Sequence, residues 1–163
     1  MLIEQRLKKD WYQKRITQNK NIKNHLINVI LENQSSDFFW SNLDLQYLNY
    51  EDLFEVAVAS ANKQVSITLG EGSDLSNNVD CKFSIVRSNS YGKNYSALIS
   101  GCENKDHIYA CVYEGMNEKF YYFSFPASIK QHTIPFDQTG KPNRSNYMWR
   151  YEKSNLVEMA LDK

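Results

Sequence analysis

Apolar positions at Leu2, Ile3, Leu7, Trp11, Ile16, Ile22, Leu26, Val29 and Ile30 recur at a loose helical period with no Pro or Gly among them, which predicts helix over residues 2–33. The asparagine-rich stretch 19–24 marks where this segment would divide into two helices. Ser35, Ser36 and Asp37 form a helix-start signal ahead of Phe38, Phe39 and Trp40. A further helix is predicted over residues 50–62, with Leu53, Phe54, Ala57, Val58 and Ala61 as its buried stripe. Asn49 stands at its N-cap, and Glu51 and Asp52 lie in the first turn, where the helix dipole favours acids. The period then changes from helical to alternating. Val65, Ile67 and Leu69 alternate with Ser66 and Thr68, residues 70–73 read as a turn, and residues 79–86 read as a second strand. More strands are predicted at 96–100, 108–113 and 120–125, with a hairpin turn at 114–117. Residues 130–150 carry Pro135, Gly140 and Pro142 and read as irregular. Ser154 caps a last predicted helix over 155–161. Helices first and then a run of strands predict an α+β fold with a mixed, mainly antiparallel sheet flanked by helices, not an alternating βαβ chain.

With 163 residues and 42% apolar content, the chain suits one domain with one core over residues 1–163. Within it, residues 1–35 form a basic helical arm, 50–126 the core, and 127–163 a loop and C-terminal helix. Lys and Arg balance Asp and Glu at 19 each, so net charge points to no partner. The distribution says more. Arg6, Lys8, Lys9, Lys14, Arg15, Lys20 and Lys23 face only Glu4 and Asp10 in the first 24 residues. That is either a phosphate-binding footprint or an ordinary solvated helix face. Cys81, Cys102 and Cys111 form no CxxC pair, and His25, His107 and His132 show no ligand spacing, so a structural zinc site is not expected. The odd cysteine count and the lack of a leader predict reduced thiols and a cytoplasmic location. No apolar run approaches the ~20 residues of a membrane span. The glycines near position 70 lack a following GK[ST], which argues against an NTPase.

The chemistry concentrates between Gly70 and Arg87. In the strand over 79–86, Val79, Cys81, Phe83 and Ile85 share one apolar face, and Asp80, Lys82 and Ser84 share the other. An acid and an amine are thus held about 7 Å apart along a rigid element, at ~3.3 Å per residue. A reversal between Leu69 and Val79 would bring Asp74 beside Asp80. Two converging carboxylates repel unless a cation lies between them, and Mg²⁺ commonly takes one or two carboxylates with water and phosphate. The bland reading is an Asp80–Lys82 surface pair, worth little to stability.

Asp74, five residues, then Asp80-Cys81-Lys82 resembles the PD-(D/E)XK motif of restriction-endonuclease-like nucleases, with Ser73 in place of the usual Pro. The resemblance covers about residues 50–126. It implies a restriction-endonuclease-like core and a restriction or homing-type endonuclease that hydrolyses double-stranded DNA at specific sites. In that scheme Asp74, Asp80 and the Cys81 backbone carbonyl bind Mg²⁺, or Mn²⁺ in its place, and Lys82 positions or activates water. A helix acid assists, Glu55 by its apolar neighbours, with Glu51 as the alternative. The resemblance also implies a homodimer or larger homo-oligomer of C₂ symmetry. DNA contacts are expected from Lys8, Lys9, Lys14 and Arg15 on the arm, from Ser90, Lys93 and Asn94, and from Arg144, Asn146 and Arg150. The competing expectation is a non-catalytic DNA-binding or assembly protein.

Overall fold

The computed structural model describes residues 3–33, 41–62, 79–88, 95–127 and 130–143, without the side chains of Glu4, Arg6, Leu7, Lys8 and Asn42. The aromatic segment 38–40, the strand expected at 65–69, the turn with Asp74, the loop 89–94, the segment 144–150 and the helix expected at 155–161 lie outside these residues.

One unbroken helix, α1, spans Ile3–Asn33. The division expected near Asn19 does not occur. Ile22, Leu26, Ile27 and Ile30 are buried at helical spacing, and tertiary packing overrides the weak propensity of the asparagines. Asn19 is itself used, accepting a hydrogen bond from the Tyr50 hydroxyl. A short helix, α2 (Asn42–Leu45), follows. Ser41 caps it through a reciprocal pair with Asp44, its hydroxyl donating to the carboxylate at 2.6 Å and accepting from the Asp44 N–H at 3.1 Å. Helix α3 (Tyr50–Ala61) begins at Asn49, whose side chain accepts from the Asp52 N–H at 2.8 Å as expected.

Among the described residues, six strands form two three-stranded sheets. The first sheet joins β1 (Val79–Ile85), β4 (His107–Glu114) and β5 (Lys119–Pro126), with β1 parallel to β4 and β4 antiparallel to β5. The second joins β2 (Arg87–Ser88), β3 (Tyr95–Ile99) and β6 (His132–Phe136), all antiparallel. The fold is therefore mixed helix and sheet with mainly antiparallel pairing, as predicted.

The order of layers is helices, first sheet, second sheet. Cys81, Tyr109, Cys111, Tyr113 and Tyr122 pack against α1 and α3. Alternate residues of the same strands, Ile108, Ala110, Val112, Phe123 and Phe125, pack against Ala97, Ile99, Ile134 and Phe136 of the second sheet. Strand β4 is covered on both faces, which is why it reads as continuous apolar sequence. The parallel β1–β4 pair needs a crossover, and β3 of the second sheet lies within it.

Strand β6 corrects the irregular reading of residues 130–150. Pro135 cannot donate to a ladder, but β6 is terminal in its sheet order, where proline is tolerated. His132, Ile134 and Phe136 point inward and Thr133 outward. The hairpin turn also sits one residue later than expected. Glu114 pairs with Lys119, leaving 115–118 as the turn, with Glu118 at φ 53°.

Histidines are built into this core. His25 lies 2.8 Å from the Tyr122 hydroxyl and stacks on Phe120, and His107 lies 2.6 Å from the Ser124 hydroxyl. Burial lowers the pKa of His25, His107 and His132 below the ordinary 6.5. As pH falls, the unfolded chain takes up these protons first, so this part of the stability is complete above about 6.5 and is lost toward the folded-state values. Urea midpoints should fall between about pH 7 and pH 5.5, a window set by the ordinary histidine value. His25→Gln should shallow that slope, and an unchanged slope would remove His25 from the account.

Candidate functional site

Strand β1 carries the site. Its alternation sends the Cys81 side chain into the helix-facing core, leaving only the Cys81 backbone beside the Asp80 and Lys82 face. The Lys82 ammonium lies 3.0 Å from Asp80 Oδ2 and 3.5 Å from Glu51 Oε1. Asp80 is fixed further, because its Oδ1 accepts the Cys81 N–H at 3.0 Å. The pair is not a surface decoration. Side-chain exposure is 7% for Asp80, 18% for Lys82 and 46% for Glu51, since the second sheet lies over this face. Of the three, Glu51 is the most open to solvent.

Gly101, at φ 71°, closes the site beyond Lys82. A Cβ there would stand 3.2 Å from the ammonium nitrogen. Cys102 follows, buried, with its backbone N–H donating to the Lys130 carbonyl at 2.9 Å. Burial raises its thiol pKa; Lys82 opposes that rise and Asp80 adds to it, so Cys102 lies within the field of the pair.

Electrostatics fix the protonation states. Burial raises the Glu51 pKa, the Lys82 charge opposes this, and the Asp80 charge adds to the rise. For Lys82, burial acts to lower the pKa, but the hydrogen bonds and charges of Asp80 and Glu51 outweigh it, and the net shift is upward. Lys82 is thus an ammonium at neutral pH. In this arrangement it can donate to a water or a phosphoryl oxygen and stabilise negative charge; it has no lone pair with which to take a proton.

The sequence-derived residues divide into groups. Asp80, Cys81 and Lys82 stand together on β1, and the helix carboxylate that reaches Lys82 is that of Glu51. Glu55, one turn further along α3, is buried. Lys9, Lys14 and Arg15 are exposed on α1, while Lys8 belongs to the same helix with its side chain outside the described set. Asp74, Ser90, Lys93, Asn94, Arg144, Asn146 and Arg150 lie outside the described residues. Gly101 and Cys102 are additions that local sequence did not mark. A glycine just after a strand is a common loop signal.

Asp80 and Glu51 carboxylate oxygens converge on one positive centre, the Lys82 ammonium. Among the described residues, no group of three or more His, Cys, Asp and Glu side chains could hold a metal ion; a third carboxylate would have to come from beyond them. Among the described residues no helix is long and apolar enough to cross a membrane. Comparison of the chain with family models, curated proteins and solved structures found no significant match in any of the three.

Proposed function

We propose that this chain is a Mg²⁺-dependent endonuclease with a restriction-endonuclease-like core that hydrolyses phosphodiester bonds at specific sites in double-stranded DNA. The observation that carries the reading is the Lys82 ammonium held between Asp80 and Glu51 on a rigid strand and a helix start, within an acid-x-Lys motif. Asp80, the Cys81 carbonyl and Asp74 would hold the metal. Glu51 takes the helix-acid role first assigned to Glu55, because it is the carboxylate within reach of Lys82. Bound Mg²⁺ would supply charge neutralisation at the phosphate and a more acidic water.

The chain's own residues do the rest. Lys82 donates to a phosphoryl oxygen or to the attacking water and stabilises the charge that grows as water adds to phosphorus and the P–O bond breaks. Asp80 holds Lys82 in place through the 3.0 Å contact. Gly101 leaves room for the ammonium to move toward a substrate. Lys8, Lys9, Lys14 and Arg15, with the polar loops around Lys93 and Arg144, would grip the duplex, and a C₂ pair of chains would address both strands.

Incubating plasmid with the protein and Mg²⁺, Mn²⁺ or EDTA tests this. Discrete fragments are expected with either metal and none with EDTA. Asp80→Asn should reduce cutting by two orders of magnitude or more, about the effect of removing a transition-state contact. The second reading, a non-catalytic DNA-binding or assembly protein, draws on the burial of the Asp80–Lys82 pair, which is also what a purely structural ion pair shows. A mobility shift with intact DNA in every metal would decide for it.

A further inference from the structure

The first half of α1 stands apart from the core. Ile3, Trp11, Tyr12 and Ile16 are all exposed on it, Trp11 at 52%, an apolar grouping of the kind that marks an interaction surface. Lys14 and Arg15 are exposed within one turn of Trp11, while Lys9 lies further round the helix next to the exposed Asp10. The Arg15 guanidinium lies over the Trp11 ring, 5.3 Å from its centroid, so one face of the ring carries a cation.

This face is continuous with the candidate site. Arg15 lies within electrostatic reach of Tyr50, whose pKa burial raises and the Arg15 charge lowers. One turn along α1, Asn19 accepts from the Tyr50 hydroxyl. Tyr50 packs on Phe83, 5.0 Å between centroids, and its chain neighbour Glu51 pairs with Lys82. From Lys9 to Asn19 the helix rises about 15 Å at 1.5 Å per residue. That span matches roughly four base pairs at 3.4 Å.

We propose that this face of α1 is a DNA-binding track, with cations on phosphates and the Trp11 ring against a sugar, that delivers the backbone to Glu51 and Lys82. The inference rests on the nuclease reading for its partner. The sign of the charge selects that partner, since a second copy of the same basic face would be repelled. Ile3, Tyr12 and Ile16 are exposed on the same half of the helix, so an anionic lipid surface is the competing occupant that the vesicle arm of the test separates from DNA.

The test is fluorescence anisotropy of a labelled short duplex, titrated with the full chain in EDTA so that nothing is cut. Arg15→Ala should flatten the dependence of log Kd on log salt by about 0.9, one phosphate's worth of counterions. Trp11→Ala should weaken binding roughly tenfold at every salt concentration with the slope unchanged. Alanine is the best helix former, so helix content by circular dichroism should hold. Parental affinity and slope in either variant would overturn the track. So would a Trp11→Ala change from dimer to monomer by light scattering with DNA affinity intact, or binding to phosphatidylserine vesicles without DNA affinity. Plasmid left uncut in Mg²⁺ while these binding effects appear removes the nuclease reading and keeps the track; cutting with silent arm variants does the reverse.

Discussion

Lys82→Ala should lower the cleavage rate by roughly 10²–10³, the scale of one lost transition-state donor, and should also destabilise the fold by about 3 kcal/mol, because it removes the cation that neutralises a buried carboxylate. The two effects have separate causes. The catalytic loss follows from the missing ammonium at the phosphate. The stability loss follows from Asp80, 7% exposed, losing its 3.0 Å partner. Glu51, at 46% exposure, contributes little to it because solvent screens that side. A double variant, Asp80→Asn with Lys82→Met, removes both charges and should recover most of the stability by urea denaturation while remaining inactive. Cutting at the parental rate by Lys82→Ala would remove Lys82 from the reaction. A double variant as unstable as the single one would mean that packing of the lysine stem, not the loss of the neutralising cation, sets the cost. DNA affinity in EDTA should stay near the parental value, since the cations assigned to DNA lie on α1 and the loops.

That prediction differs from what sequence alone supports, and the difference marks how far local pattern reaches. Period-two alternation in β1 correctly separated Cys81 from Asp80 and Lys82, because facing is a property of one strand. Whether the polar face meets water is not. It depends on a second sheet of which β3 was legible but the other two strands were not: β2 is two residues long, and β6 contains Pro135. The helix acid shows the same limit. Glu55 drew attention through its apolar neighbours, yet residues Leu53 to Ser60 are all buried, so burial there does not single out the β1 side. Glu51 read as a first-turn acid answering the helix dipole, and it is also the one that reaches Lys82. The strong signals held where one force dominates, as in the Asn49 cap of α3 and the doubly buried run of β4. The α1 asparagines misled because propensity is small beside the burial of Ile22, Leu26, Ile27 and Ile30.

Gly140→Ala should cost about 2–4 kcal/mol, from left-handed strain of roughly 1–2 kcal/mol and displaced hydrogen bonds at about 1 kcal/mol each. Gly140 sits at φ 84°, and a Cβ there would stand 2.5 Å from Asn117 Nδ2 and 2.8 Å from the Glu114 carboxyl carbon. Side-chain ends usually move aside at small cost, but these are tied. Glu114 accepts from the N–H of Met116 at 2.6 Å and of Asn117 at 2.9 Å, and Asn117 donates to the Thr139 carbonyl at 2.7 Å. Together they lock the β4–β5 turn to the loop after β6. Adding Gly140→Ala to a Glu114→Ala background should cost less than adding it to the parent, since part of the clash is already gone. Equal costs in both backgrounds would take Glu114 out of the penalty and leave it to backbone strain and the Asn117 contact. Gly101→Ala provides the contrast: its nearest neighbour, the Lys82 ammonium at 3.2 Å, is the end of a long side chain that need shift only slightly, so the stability loss should be about that of the φ strain alone, roughly 1–2 kcal/mol. Its larger effect should fall on cleavage, because any side chain at 101 presses on the one nitrogen that the reaction needs free to move.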